Sequence, residues 1–148
     1  MKIKHEHIRM AMNAWAYPDG EKVPAAEITR AYFELGLTFP ELFDDSHPEA
    51  LGRNTQKIFR WLEKDTPDAV KKIQALLPAI EKAMPPPLVA RMRSHSSAYF
   101  RELVETQERL VKDIDDLVAS AIVLFDQMNR GGPAGNTLAV HELGNKYE

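Results

Sequence analysis

Asn54-Thr55-Gln56-Lys57-Ile58-Phe59-Arg60-Trp61 is the stretch on which the fold turns. Ile58 and Trp61 stand three apart, so a helix puts them on one face and turns Thr55, Gln56, Lys57 and Arg60 outward. Asn54 or Thr55 suits the start of that helix, because a short side-chain oxygen satisfies an orphan backbone N–H. The outward residues are rich in donors, which match the base edges and phosphates of DNA. An apolar helix precedes the stretch and Thr66-Pro67 follows it. It therefore reads as the recognition helix of a helix-turn-helix, running from about Thr55 to Lys64.

Within that helix the residue types divide the work. The Arg60 guanidinium is able to grip guanine O6 and N7 through two parallel bonds. Gln56 and Lys57 lie near the helix start, where side chains reach bases or phosphates. Asn54 and Thr55 are either caps or contacts; Arg53 and Lys64 suit phosphates, and Trp61 suits the core. Six basic residues against three acidic ones fall between Arg53 and Lys72, although Lys71 and Lys72 also read as a solvated face. The whole chain carries −3, so a basic coat for indiscriminate nucleic-acid binding is excluded, while a local basic surface is not.

Working outward, apolar spacings of three and four recur and no period-two strand pattern is legible, which makes the fold class all-α. Ile8, Ala11, Met12 and Trp15 mark a first helix, closed by Tyr17-Pro18-Asp19-Gly20. Pro24 opens a second helix, with Ile28, Ala31, Tyr32 and Leu35 inward and Gly36 as its stop. Leu37 to Arg53 reads as a long irregular connection, with a short helical turn near Glu41 to Phe43. Thr66-Pro67-Asp68 starts a fourth helix, in which Pro78 predicts a kink or a break.

Met84-Pro85-Pro86-Pro87 predicts a semi-rigid polyproline spacer and a domain boundary, giving residues 1–86, 87–130 and 131–148. Between Leu88 and Met128 there is neither proline nor glycine, which predicts a single helix of about 40 residues. Ser96, Tyr99, Leu103, Thr106, Leu110, Leu117, Ala121, Leu124 and Met128, with Ile114 and Val118 on the same side, form a coiled-coil-like seam along it. A helix with that face must pack on something, most simply on copies of itself. Gly131-Gly132-Pro133 ends it, and a glycine-rich, flexible tail is expected beyond.

The layout resembles a known family. Four or five helices with the helix-turn-helix at the second and third are similar to the POU or lambda-repressor-like fold. Asn54 to Trp61 with Thr66-Pro67 is similar to the recognition segment of the lambda CII activator. In length and in its Pro-Pro-Pro and long-helix plan, the whole chain resembles the YdaT family of prophage proteins. That resemblance implies a CII-like transcription regulator, a homotetramer joined through a C-terminal four-helix bundle, and double-stranded operator or promoter DNA as ligand. RNA polymerase is the further partner expected at such a promoter. The toxin label carried by the family implies the rival reading, a toxin acting by protein contact or as a nuclease.

Other chemistries find little support in the residues. The chain contains no cysteine, which excludes disulfides and thiolate zinc sites. His5 and His7 are two apart and do not share a helix face, so no metal site is expected. Asp113, Asp115 and Asp116 read as solubilising residues beside the seam, and Ser94, Ser96, Ser97 and His95 show no nucleophile–base pairing. No phosphate-binding glycine loop is present. No enzyme activity and no cofactor are therefore expected. With no signal-like N-terminus and no apolar run of about 20 residues, no membrane association is expected; a cytoplasmic, nucleoid-associated protein is.

Overall fold

The computed structural model describes residues 2–131. Among them are six helices and no strand: α1 (His5–Ala16), α2 (Lys22–Glu34), α3 (Ala50–Glu63), α4 (Pro67–Ala83), α5 (Pro86–Ser94) and α6 (Ala98–Arg130). The chain divides into two compact units, Met1–Val104 and a second that starts at Glu105. The expected tail lies outside the described residues, apart from Gly131.

The first unit closes around the apolar faces of α1 to α4. Ile8 and Met12 of α1, Ile28 of α2, Ile58 and Leu62 of α3, and Ile73, Leu76 and Ile80 of α4 are all fully buried. Each set follows the three-and-four spacing of a helix with one apolar face. Gly36 ends α2 in the left-handed region, at φ 70°, and the Leu37 N–H then returns to the Tyr32 carbonyl at 3.1 Å. Thr66 caps α4 by accepting from the Ala69 N–H at 3.3 Å, with Pro67 following at the first helical position.

Polar links fasten the ends of these helices. His5 Nε2 lies 3.0 Å from the Trp61 carbonyl, Arg9 Nε donates to the Leu62 carbonyl, and Gln74 donates to the Ile3 carbonyl. The end of α3 is thereby held on α1, which fixes how its outer face is presented.

Four expectations change. α3 starts at Ala50, five residues before Thr55, so the irregular connection is shorter than Leu37 to Arg53. No helical turn forms at Glu41 to Phe43. α4 runs through Pro78 unbroken, because Ile73, Leu76, Ala79 and Ile80 pack on both sides of it. That packing outweighs one lost backbone bond and a ring clash, a penalty of about 3 kcal/mol. The prolines do not make an extended spacer: Pro86 and Pro87 open α5, where a missing N–H leaves nothing unpaired. α5 then packs on α1 through buried Met92, and the first compact unit continues past the prolines to Val104.

The single helix from Leu88 to Met128 is also two, parted at His95-Ser96-Ser97. Serine side chains compete for backbone partners and favour ends over interiors. Ser94 Oγ donates back to the Arg91 carbonyl at 2.6 Å, and Ser97 Oγ accepts from the Phe100 N–H at 3.5 Å. Ser96 accordingly leaves the seam. α6 keeps 33 residues, about 50 Å of helix.

Candidate nucleic-acid interface

Helix α3 packs against α2 and α4, and its inner face is Ile58, Phe59 and Leu62. Its outer face carries Arg53, Gln56 and Arg60, all exposed and at helical spacing, and the exposed Lys64 follows its last turn. Arg53 is tied to Glu49 at 3.3 Å, one turn back. Gln56, Arg60 and Lys64 have no ion pair or side-chain hydrogen bond among the described residues, so their donors face solvent. An exposed pair such as Arg53–Glu49 is worth well under 1 kcal/mol and yields readily to a phosphate.

Asn54 and Thr55 are corrected. Neither caps α3 and neither is free: both lie within the helix and are buried, Asn54 to 1% exposure. The helix start five residues earlier turns them inward. Thr55 Oγ1 donates to the Leu51 carbonyl. Asn54 binds one backbone unit of the preceding loop twice, accepting from the Phe43 N–H and donating to the Phe43 carbonyl, each at 2.8 Å. This amide-to-backbone pairing copies one rung of a β-ladder and fixes residues 42–44 on α3.

Lys57 is half-buried and engaged with the same loop. Its ammonium donates to the Glu41 carbonyl at 3.0 Å and lies 4.5 Å from the centre of the Phe43 ring. Trp61 is half-buried, as suits a core residue, with the Lys72 ammonium 5.3 Å from its ring. Lys72 also pairs with Asp68 at 3.0 Å, and Lys71 stands near the Phe39 ring, so both read as surface residues of α4.

The long connection is therefore ordered against the helix. Leu42 is buried, the Asp44 carboxylate accepts from the Ser46 N–H, and the Phe43 and His47 rings pack at 4.4 Å. The Ser46 hydrogen bonds hold the Asp44 carboxyl below its ordinary value. Sequence reasoning missed this clamp, although Pro48, two residues before Ala50, is the kind of signal that marks an earlier helix start.

Of the expected seam, Tyr99, Leu103, Thr106, Leu110, Ile114, Leu117, Ala121, Leu124 and Met128 are all exposed on α6. The leucines at 103, 110, 117 and 124 repeat every seven residues, and Ile114, Ala121 and Met128 follow at four. Val104, Val111, Val118 and Phe125 repeat at seven beside them, which widens the stripe to three positions per heptad. No helix among the described residues is long and apolar enough to cross a membrane.

The sequence matches the family described as "Bacterial toxin ydaT" over residues 7–124. The chain belongs to the YdaT family. It is also 33% identical to the "Transcriptional regulator YdaT" of Escherichia coli (strain K12), over 95% of this chain and all of that protein. The YdaT family match runs from the first turn of α1 through α5 and most of α6.

Proposed function

We propose that the chain is a sequence-specific, double-stranded-DNA-binding transcription regulator of a prophage, similar to CII, that works as a homotetramer. The observation that carries this reading is the outer face of α3, where Gln56 and Arg60 stand unpaired one turn apart. Under a POU-like helix-turn-helix arrangement, α3 enters the major groove, Arg60 takes a guanine, and Arg53 and Lys64 take phosphates. A relative named as a transcriptional regulator supports the reading. It invokes no catalytic step and no cofactor, and it locates the protein in the cytoplasm on the nucleoid.

The exposed apolar stripe of α6 supports it as well. A stripe only two positions wide suits a two-stranded coil, whereas three apolar positions per heptad suit a helix with several neighbours, as in a four-helix bundle. One small head makes few contacts, and joining heads raises the effective concentration of the second at a paired site. RNA polymerase is the partner at the promoter so marked.

The test is selection of binding sites from a random duplex pool, repeated with Arg60→Ala. A paired motif in the wild type that is lost in the variant supports the reading. Absence of enrichment, with only weak binding that vanishes at moderate salt, removes it. The family description as a toxin favours the second reading, growth inhibition through protein contact or nuclease action. If that holds, Arg60→Glu leaves growth inhibition intact; if inhibition follows from misdirected transcription, Arg60→Glu abolishes it.

A further inference from the structure

Three glycines among the described residues have a reason within the fold. Gly20 and Gly36 sit at φ 96° and 70°, in the region that side chains disfavour. Gly131 follows α6 where an added Cβ would press on the Met128 carbonyl at 3.2 Å. Gly52 has no such reason. It lies inside α3 without a positive φ, and a Cβ there would meet nothing within 4 Å. Glycine in a helix is less favourable than alanine, so the fold alone would be served better by a side chain.

What surrounds Gly52 points outward. With Glu49, Arg53 and Gln56 it lines a shallow notch of about 330 Å³, on the same outer face as Arg60. The floor of that notch is bare backbone because residue 52 has no side chain. We infer that Gly52 is the point where the edge of a DNA base pair comes closest to α3, and that its missing side chain, together with Gln56, determines which base pair is accepted there. This rests on the DNA-binding reading above and deepens it.

The chemistry of the notch selects a base edge over a phosphate. The Glu49 carboxylate stands on the rim and repels an anion from the notch, while its weak pair with Arg53, at 3.3 Å, releases that guanidinium to a phosphate beyond the rim. Base edges are neutral. The Gln56 amide offers one donor and one acceptor side by side, the match for adenine N7 and N6. The thymine of the same pair presents a methyl group, which takes apolar contact from the protein. Bare backbone at position 52 lets that pair approach the helix more closely than any side chain would allow. The ligand is thus the major-groove edge of an A·T pair, with adenine on Gln56 and the thymine methyl over Gly52.

The test uses the full chain with Gly52→Ala, alongside wild type and Arg60→Ala. Thermal melting, affinity at one fixed salt concentration and selection from a random duplex pool are read for each. The expected Gly52→Ala protein melts roughly 2–5 °C higher than wild type, since alanine favours the helix. Its affinity for the wild-type motif falls about tenfold or more, and its own selected motif changes at one A·T pair while the rest persists. Binding within about twofold of wild type, with the same motif, overturns the inference. A lower melting temperature also overturns it, because the glycine would then serve the fold. If Arg60→Ala destroys binding while Gly52→Ala does not, only the role of Gly52 is lost. If wild type itself selects no motif, the DNA-binding reading fails and takes this inference with it.

Discussion

At the scale of single residues, Asn54 couples the loop to α3. Its amide satisfies both the N–H and the carbonyl of Phe43 while being almost wholly buried. Asn54→Ala strands two backbone groups, each costing about 1–3 kcal/mol if it stays dry. We expect chemical denaturation to show a loss of roughly 2–4 kcal/mol; stability within error of wild type would mean that Phe43 finds other partners. A second residue-scale prediction concerns His7, whose ring stacks on His95 at 4.1 Å and so joins α1 to the end of α5. Burial holds its imidazole below the ordinary 6.5; His95 and Lys4 act in the same direction and Glu6 opposes them. The unfolded chain therefore takes up this proton first. Stability is complete above 6.5 and is lost as pH falls through the lowered folded value. Melting temperature should drop as pH falls below 6.5, and His95→Gln should flatten that drop; an identical pH slope in the variant would exclude the ring pair as its source. Neither role was legible in the sequence. Asn before Thr-Gln-Lys looks like a cap, and only the loop that folds onto α3 shows that Asn54 points inward.

At the scale of elements, periodicity told more about helix faces than about helix ends. The inner residues of α1, α2 and α4 were readable because burial imposes a spacing of three and four on them. Ends are set by local competition for backbone partners, which is harder to see. Two proline-containing signals were read as interruptions, yet Pro78 does not break α4, and Pro86-Pro87 begin α5. The break at His95-Ser96-Ser97 carries no proline or glycine, so no strong stop signal announced it. The heptad row of α6 was legible apart from Ser96, which falls before the helix starts, and apart from the flanking row through Val104, Val111 and Phe125. It makes the third prediction. Leu110 and Leu117 are exposed near the middle of α6, one heptad apart. Leu110→Glu with Leu117→Glu puts like charges wherever copies of α6 meet, and burying unpaired carboxylates is costly. Sedimentation should show smaller particles than wild type, with the melting of the first compact unit unchanged. Particles of wild-type size would show that α6 packs on something other than itself.

At the scale of the whole molecule, the proposed DNA-binding reading requires an acidic protein to concentrate its positive charge where the phosphates would lie. On that reading the net charge of −3 would repel a duplex at long range, and Arg53, Arg60 and Lys64 would attract it only at close quarters. Few phosphate contacts per head, multiplied by assembly, should therefore describe its affinity. Salt dependence counts them, since each phosphate neutralised contributes about 0.9 to the slope of log K against log salt. Lys64 follows the last turn of α3, is exposed, and lies outside the notch around Gly52, which suits it to a phosphate and not to a base. Lys64→Ala should weaken binding to all sequences alike and lower the slope by about 0.9 for each subunit that touches the duplex. A decrement near 0.9 then means one engaged head, and one near 1.8 means two heads on a paired site. An unchanged slope would remove Lys64 from the interface, and a loss confined to the selected motif would move it from the phosphates to the bases. The same titration on the Leu110→Glu, Leu117→Glu protein separates assembly from contact. If pairing of heads comes only from α6, its Lys64→Ala decrement should shrink to that of one head.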